Sequence, residues 1–395
     1  MEVHGFGFDT LALLTAAGFA GPLLAALPRL RIPVIIGELT AGLIIGRTGF
    51  GIVDDTNPTF ELFANIGFAL VMFVVGTHVP VRDPALRSAV PRALARVLVI
   101  GAVAAGIGAA LAAGFGTHHG PLYAVMLASS SAAVALPVMD SLRLTGPQVL
   151  SATVQIAIAD AACIVLLPLV IDLRRAPIAA LGALAIACCA VVLFLALRAL
   201  DRKGWRQRAH DYSEKHRLAL ELRINLLILF ALAALAVSTH VSIMLAGFAL
   251  GLVIALIGEP RRLARQLFGI TEGFFSPLFF VWLGASLQVR ELGSHPRLIL
   301  LGLALGLGAV LAHCAGKLLG QPLTLAVLTA AQLGVPVAAA TIGAQQHLLV
   351  PGEASALMFG ALLTIACTSI AGTLATRRQA AESGSAHPRH VTKGP

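Results

Sequence analysis

The sequence predicts an all-α polytopic membrane protein of about 13 transmembrane helices, and three observations carry that prediction. Of the 395 residues, 58% are hydrophobic and only 12% charged, with a mean hydropathy of +0.89, whereas a soluble chain carries about 25% charged residues. Apolar segments of about twenty residues, the length a helix needs to cross a bilayer, recur between charged or Gly/Pro-rich breaks. The basic residues, finally, sort into alternate loops. The net charge of +9 therefore reads as the cytoplasmic bias of membrane proteins rather than a nucleic-acid surface, since no basic run is interleaved with aromatics.

In order, the segments lie near residues 9–27, 33–50, 59–80, 94–115, 121–141, 148–171, 177–198, 218–238, 241–258, 266–288, 297–320, 322–346 and 352–376, the second and ninth being short or Gly-rich. Met1-Glu2-Val3-His4 offers no basic n-region and no Ala-x-Ala cleavage site follows, so the first segment reads as a retained helix of a complete chain. One set of loops holds 22 of the 28 Lys and Arg residues: Arg29 and Arg31; Arg82, Arg87, Arg92 and Arg96; Arg143; the eight from Arg198 through Arg223; Arg261, Arg262 and Arg265; and Arg377, Arg378, Arg389 and Lys393. The other set holds Arg47, Arg174, Arg175, Arg290 and Arg297, and Lys317 lies within an apolar segment. Because positive charge stays on the cytoplasmic side, a cell-membrane protein with its N-terminus outside and its C-terminus in the cytoplasm is expected. Residues 199–217 read as a cytoplasmic loop, and residues 377–395 as a short disordered cytoplasmic tail. Cys163, Cys188, Cys189, Cys314 and Cys367 sit in apolar stretches without metal-ligand spacing and read as small buried hydrophobes. No Walker A, GxGxxG or HExxH pattern occurs, so neither a cofactor nor an intramembrane hydrolase is expected.

The two halves match in register. Ala41-Gly42-Leu43-Ile44-Ile45-Gly46 parallels Ala246-Gly247-Phe248-Ala249-Leu250-Gly251. Phe73-Val74-Val75-Gly76, followed by Val81-Arg82-Asp83, parallels Val281-Trp282-Leu283-Gly284, followed by Val289-Arg290-Glu291. Ala124-Val125-Met126 parallels Ala326-Val327-Leu328. Six segments (9–171), a linking helix (177–198) and six more (218–376) put equivalent helices in opposite orientations. This 6+1+6 inverted repeat is a plan of secondary transporters, whose site lies where the repeats meet near the midplane and is marked by a corresponding pair of interrupted helices. The fifth segment carries Ser129-Ser130-Ser131 and Pro137, and the twelfth carries Gln332, Gly334 and Pro336. Pro removes a backbone donor and Ser and Gly relax the helix, so the freed carbonyls must be satisfied by protein, water or an ion.

Asp160 is the one acid at the centre of a long apolar segment, Val149 to Pro168. An ionised carboxylate there costs about 3 kcal/mol on the lenient insertion scale. It can hold a proton or a cation but not both, which is the minimal chemistry of proton-coupled antiport; the other reading is a protonated Asp bonded to a neighbouring helix. Lys317, the only Lys in the core segments, either serves the site or snorkels to the interface. His313, one turn before it, reads as a packing residue outside the site. Glu38, Asp140 and Glu272 lie near segment ends, where charge is ordinary, with Glu38 or Asp140 at an intake funnel as the secondary reading.

Taken in order, these residues resemble the monovalent cation:proton antiporters, in particular the branch of bacterial sodium/proton exchangers and potassium-efflux antiporters, over nearly the whole chain to Thr376. Gly37-Glu38-Leu39-Thr40-Ala41-Gly42-Leu43-Ile44-Ile45-Gly46 is similar to the family's Gly-rich second helix, and Ala69 to Gly76 to its third. Ser129 to Val138 resembles its unwound helix, Ile158-Ala159-Asp160 its ion-binding helix, and Pro277 to Gly284 a further signature. Gly316-Lys317-Leu318-Leu319-Gly320 resembles a Gly-Lys-x-x-Gly stretch whose Lys faces the ion site. The resemblance implies the sodium/proton antiporter fold, with two crossed discontinuous helices and a cation/proton exchanger transmembrane domain over residues 1–376. It implies that Asp160 binds Na+ or K+ and a proton alternately, serving ion transport and pH homeostasis, with oxygens from Ser130 or Ser131. The unwound backbone would be supported by Ser129, Pro137, Gln332, Gly334 and Pro336, and Lys317 would stabilise the ion-free state or the crossing. The implied partners are monovalent cations, protons, lipid and a second copy, joined through a scaffold made of the first three spans of each repeat.

Two departures stand out. The position before the carboxylate, Asp, Asn or Gln in relatives, is Ala159, and the twelfth helix, often Gln-Arg-Gly-Glu there, reads Gln332-Leu333-Gly334-Val335. A single titrating carboxylate points to electroneutral, one-for-one exchange by alternating access. An ion-coupled organic-anion symporter and a non-transporting regulatory membrane protein are the alternatives, and Ala159 keeps the second open.

Overall fold

The computed structural model describes residues 6–26, 34–77, 84–172, 174–205, 208, 212, 213, 215, 216, 218–239, 241–258, 261–287, 289–294, 296–345 and 348–385. Among these, all regular structure is helical. The first half runs α1 (Phe8–Gly18), α2 (Ala20–Ala25), α3 (Val34–Ile45), α4 (Pro58–Thr77), α5 (Pro84–Phe115), α6 (Gly120–Ala128), α7 (Ala132–Ser141), α8 (Pro147–Ile171) and α9 (Ala176–Arg202). The second half runs α10 (Leu220–Ser238), α11 (Ile243–Ile257), α12 (Arg261–Ile270), a π-helical turn (Thr271–Phe275), α13 (Ser276–Ser286), α14 (Val289–Ser294) and α15 (Pro296–Cys314). A 3-10 turn (Ala315–Leu319), α16 (Leu323–Leu328), α17 (Gly334–Gln345) and α18 (Glu353–Ser385) complete it.

Ten stretches are long and apolar enough to cross a membrane by length and composition, and α3, α11 and α17 contribute three shorter apolar helices. Each segment expected from the sequence overlaps a helix. Two boundaries differ most. Helix α5 begins at Pro84 rather than near residue 94, because its first turns carry Arg87 and Arg92 and so lack an apolar signal. Helix α18 does not stop at residue 376 but continues to Ser385, so residues 377–385 are helix rather than tail; residues 386–395 lie outside the described residues.

Two helix pairs bring their backbones into close contact. Helix α3 packs on α13, and α11 on α4. A Cβ placed on Gly42 would overlap the Val281 carbonyl, and one on Gly284 would overlap that of Leu39. In the second pair, Gly247 and Gly251 stand equally close to the carbonyls of Ala69 and Phe73. Small residues that let backbones touch are how membrane helices gain dispersion contact without a hydrophobic drive between them. Helix α9, by contrast, points Leu181, Leu184 and Val192 outward, as a lipid-facing helix does.

Candidate ion-binding site

The fifth and twelfth apolar segments are each broken in mid-course. Helix α6 stops at Ala128, and Ser129 and Ser131 are extended, with φ −71°, ψ 145° and φ −113°, ψ 110°. The chain then resumes as α7. Helix α16 stops at Leu328, and α17 resumes at Gly334. The two breaks meet: Ser131 N–H donates to Ala331 O at 2.6 Å and Ser130 Oγ to Thr329 O at 2.7 Å. Gln332 Nε2 donates to Met126 O, which also accepts from Ser129 Oγ at 2.7 Å. Each interrupted helix thus satisfies the polar backbone its partner leaves open, as a buried break must. The serines make the first break. Pro137 sits inside α7, and Gly334 and Pro336 fall in the first turn of α17, where a missing N–H costs little.

Asp160, on α8, is 1% exposed, and its Oδ2 accepts from Ala132 N–H at 3.0 Å. Ala132 is the first residue of α7, so the carboxylate occupies the positive end of a half-helix, where an anion is favoured. Ser131 is the residue that would ordinarily cap α7, yet its side chain makes no capping bond and its Oγ is buried without a partner. The acid has taken the cap's place and left a hydroxyl free.

A second layer of polar groups lies beside it. Thr329 Oγ1 donates to Ala326 O at 2.8 Å, which spends its only proton. It accepts from Gln155 Nε2 at 3.2 Å and lies 3.0 Å from His313 Nδ1. Gln155 Oε1 and His313 Nε2 are buried without hydrogen-bond partners. Thr364 Oγ1 accepts from Gln332 N–H at 3.0 Å and donates to Ala361 O, tying α18 to the second break. Buried polar atoms left unpaired each cost roughly 1–3 kcal/mol, so a cluster of them at the crossing is a place built to be completed by a ligand. The free oxygens of Asp160, Ser131 and Gln155 are hard donors that suit an alkali cation.

The sequence singles out Asp160, Ser129, Ser130, Ser131 and Gln332, and the structure brings all five to the crossing. It does not bring Lys317 there. Lys317 is exposed on the 3-10 turn after α15, as a snorkelling Lys would be. The buried cation near that turn is Arg96 of α5, 2% exposed, whose Nη1 donates to Ser151 Oγ at 3.0 Å and Nη2 to Leu319 O at 3.3 Å. Gln155, Thr329 and Thr364 escape the sequence reading. Amides and hydroxyls in apolar helices carry no charge signal, and only the meeting of distant segments gives them a role. His313, read as a packing residue, belongs to this polar layer.

Comparison with known proteins identifies the fold and the family. The sequence pattern of the family described as "Sodium/hydrogen exchanger, transmembrane" matches residues 14–377. The glutathione-regulated potassium-efflux system protein KefC of Salmonella typhi is 29% identical over 391 residues, covering 96% of this chain and 63% of that protein. The chain thus spans less than two thirds of the length of that relative. Two structures of the sodium proton antiporter MjNhaP1 from Methanocaldococcus jannaschii share the fold at 18% identity. One has a TM-score of 0.65 over 93% of this chain and 97% of MjNhaP1, the other 0.69 over 98% and 100%. A multi-pass helical chain, broken twice where its halves cross and matched by the family pattern nearly end to end, belongs to the sodium/hydrogen exchanger family.

Proposed function

We propose that this protein exchanges a monovalent cation, Na+ or K+, for protons by alternating access, with Asp160 as the group that carries each in turn. The observation that carries the reading is the buried Asp160 carboxylate fixed on the N-terminus of α7 inside the crossing. A carboxylate in that position binds either a proton or a cation, and the free oxygens of Ser131 and Gln155 complete a cation shell only when the proton is absent. Because Ala159 adds no second acid, one proton is exchanged for one monovalent charge and the cycle is electroneutral. Potassium efflux in the name of KefC and sodium/proton exchange in that of MjNhaP1 support the substrate class.

The remaining parts of the reading have their own support. Gly42 with Val281 and Gly284 with Leu39, and Gly247 and Gly251 with α4, make matching close contacts between the two halves, which supports the inverted repeat. In that repeat the first three spans of each half form a scaffold, a candidate dimer surface, and the last three carry the ion. The concentration of basic residues in one set of loops supports an N-terminus outside and a C-terminus in the cytoplasm. The test is proton flux in proteoliposomes pulsed with Na+, K+ or Li+. Wild type is expected to dequench a pH dye and Asp160→Asn to be silent; equal signals from both would overturn the reading. A reversal potential that shifted with voltage would overturn the electroneutral ratio.

A further inference from the structure

A cavity of about 1100 Å³ opens between α1, α2, α3, α7 and α13 and reaches Ala132, the residue whose N–H holds Asp160. Its described charged lining is Glu38, Asp140, Glu272 and Arg143, three carboxylates against one guanidinium. Two of its polar side chains are incompletely satisfied. Glu38, on α3, is 3% exposed and makes no hydrogen bond or ion pair among the described residues, although Glu272 lies within charge–charge range of it. Room for it is left by Gly21 of α2, where a Cβ would stand 2.8 Å from Glu38 Cγ. Ser276 is 6% exposed, lines the same cavity and likewise has no side-chain partner among the described residues. Glu272 and Ser276 are brought onto one wall by the π-helical turn Thr271–Phe275. Such turns shift the register of a helix by one residue and recur at functional sites.

We infer that Glu38, Glu272 and Ser276 form a second cation site on the wall of this cavity, loading an alkali cation before it reaches Asp160. The donors are two carboxylates and a hydroxyl, the hard oxygen set that alkali cations take. A buried carboxylate with no donor of its own gains most from a bound cation, because the ion offsets its desolvation. The site is also placed for transfer. Glu38 and Glu272 sit on α3 and on the turn leading into α13, which pack together, while the cavity also touches α7 at Ala132, whose N–H holds Asp160. A cation thus passes from this wall towards α7, whose first residue holds Asp160. The loading role rests on the antiport reading; the binding site itself does not.

Equilibrium binding of 22Na+ and 86Rb+ to the full chain in nanodiscs, read by scintillation proximity, tests it. Asp160→Asn is expected to retain a saturable site, and adding Glu38→Gln to it to weaken binding by about tenfold or more. Ser276→Ala on the same background is expected to weaken it by about threefold, a second readout should Glu38→Gln fold poorly. No binding by Asp160→Asn above empty nanodiscs, or equal binding with and without either added substitution, would overturn the inference. Failure of the antiport reading shows separately, as proton flux that survives Asp160→Asn.

Discussion

Asp160 owes its position to a backbone amide, Ala132 N–H, and the position before it contributes nothing. The side-chain amide that does reach this region is Gln155, one helical turn before Ala159 on α8. It holds Thr329 with its nitrogen and leaves its oxygen free. Gln155→Leu is therefore expected to raise the half-saturating cation concentration by about tenfold, read as pH-dye dequenching against cation concentration; unchanged affinity would exclude the amide from the site. At another polar cluster, His119 Nδ1 lies 2.7 Å from Oε1 of Glu353, which is fully buried and also accepts from Tyr123. The Glu353 hydrogen bond holds the His119 pKa above its ordinary value. A group whose folded pKa is raised stabilises fully below its unfolded value, near pH 6.5, and loses that contribution as pH rises past the folded one. The melting advantage of wild type over His119→Gln is thus expected to shrink between about pH 6 and 8, and a gap that stays constant would contradict it. Asp160 and the three serines were legible because charge and helix-breaking residues inside an apolar run are rare. Lys317 shows the converse: a familiar spacing around a Lys does not say which way the side chain leaves the helix.

Helices α3 and α13, and α4 and α11, approach until glycine positions face carbonyl oxygens, so substitutions there meet backbone rather than adaptable side chains. Gly284→Val or Gly251→Val is expected to cost about 3 kcal/mol or more, seen as loss of monodisperse protein in detergent. Gly101→Ala and Gly106→Ala on α5, where nothing stands within 4 Å of the added carbon, are expected to be neutral or to stabilise by up to about 1 kcal/mol. If both pairs behaved alike, the close approach would not be what holds these helices together. At this scale hydropathy reads well, because every expected segment overlaps a helix. The register of the breaks reads less well. Pro137, Gly334 and Pro336 lie inside the resumed helices, since proline marks where a helix tolerates a missing donor, not where its partner needs one.

For the molecule as a whole, the sorting of basic residues makes a two-sided claim about topology. In a cysteine-free background, a cysteine at position 203 is expected to react with a membrane-impermeant reagent only from the cytoplasmic side, and one at 116 or 174 only from outside. The opposite pattern would invert the assignment. The fold class and the order of family-like segments were legible over most of the chain, since composition and periodicity are written locally. Which helices cross was not, because Ser130 and its acceptor Thr329 are 199 residues apart and neither predicts the other.

That separation sets an order of events during synthesis. Ser130 and Ser131 leave the ribosome long before Thr329 and Ala331 exist, so the first half reaches the bilayer with donors that lipid cannot satisfy. Until the second half arrives, α6 and α7 must keep those groups wet or shelter them against the insertion machinery. The last third of the chain is then less an addition to a finished bundle than the piece that lets the first third become one.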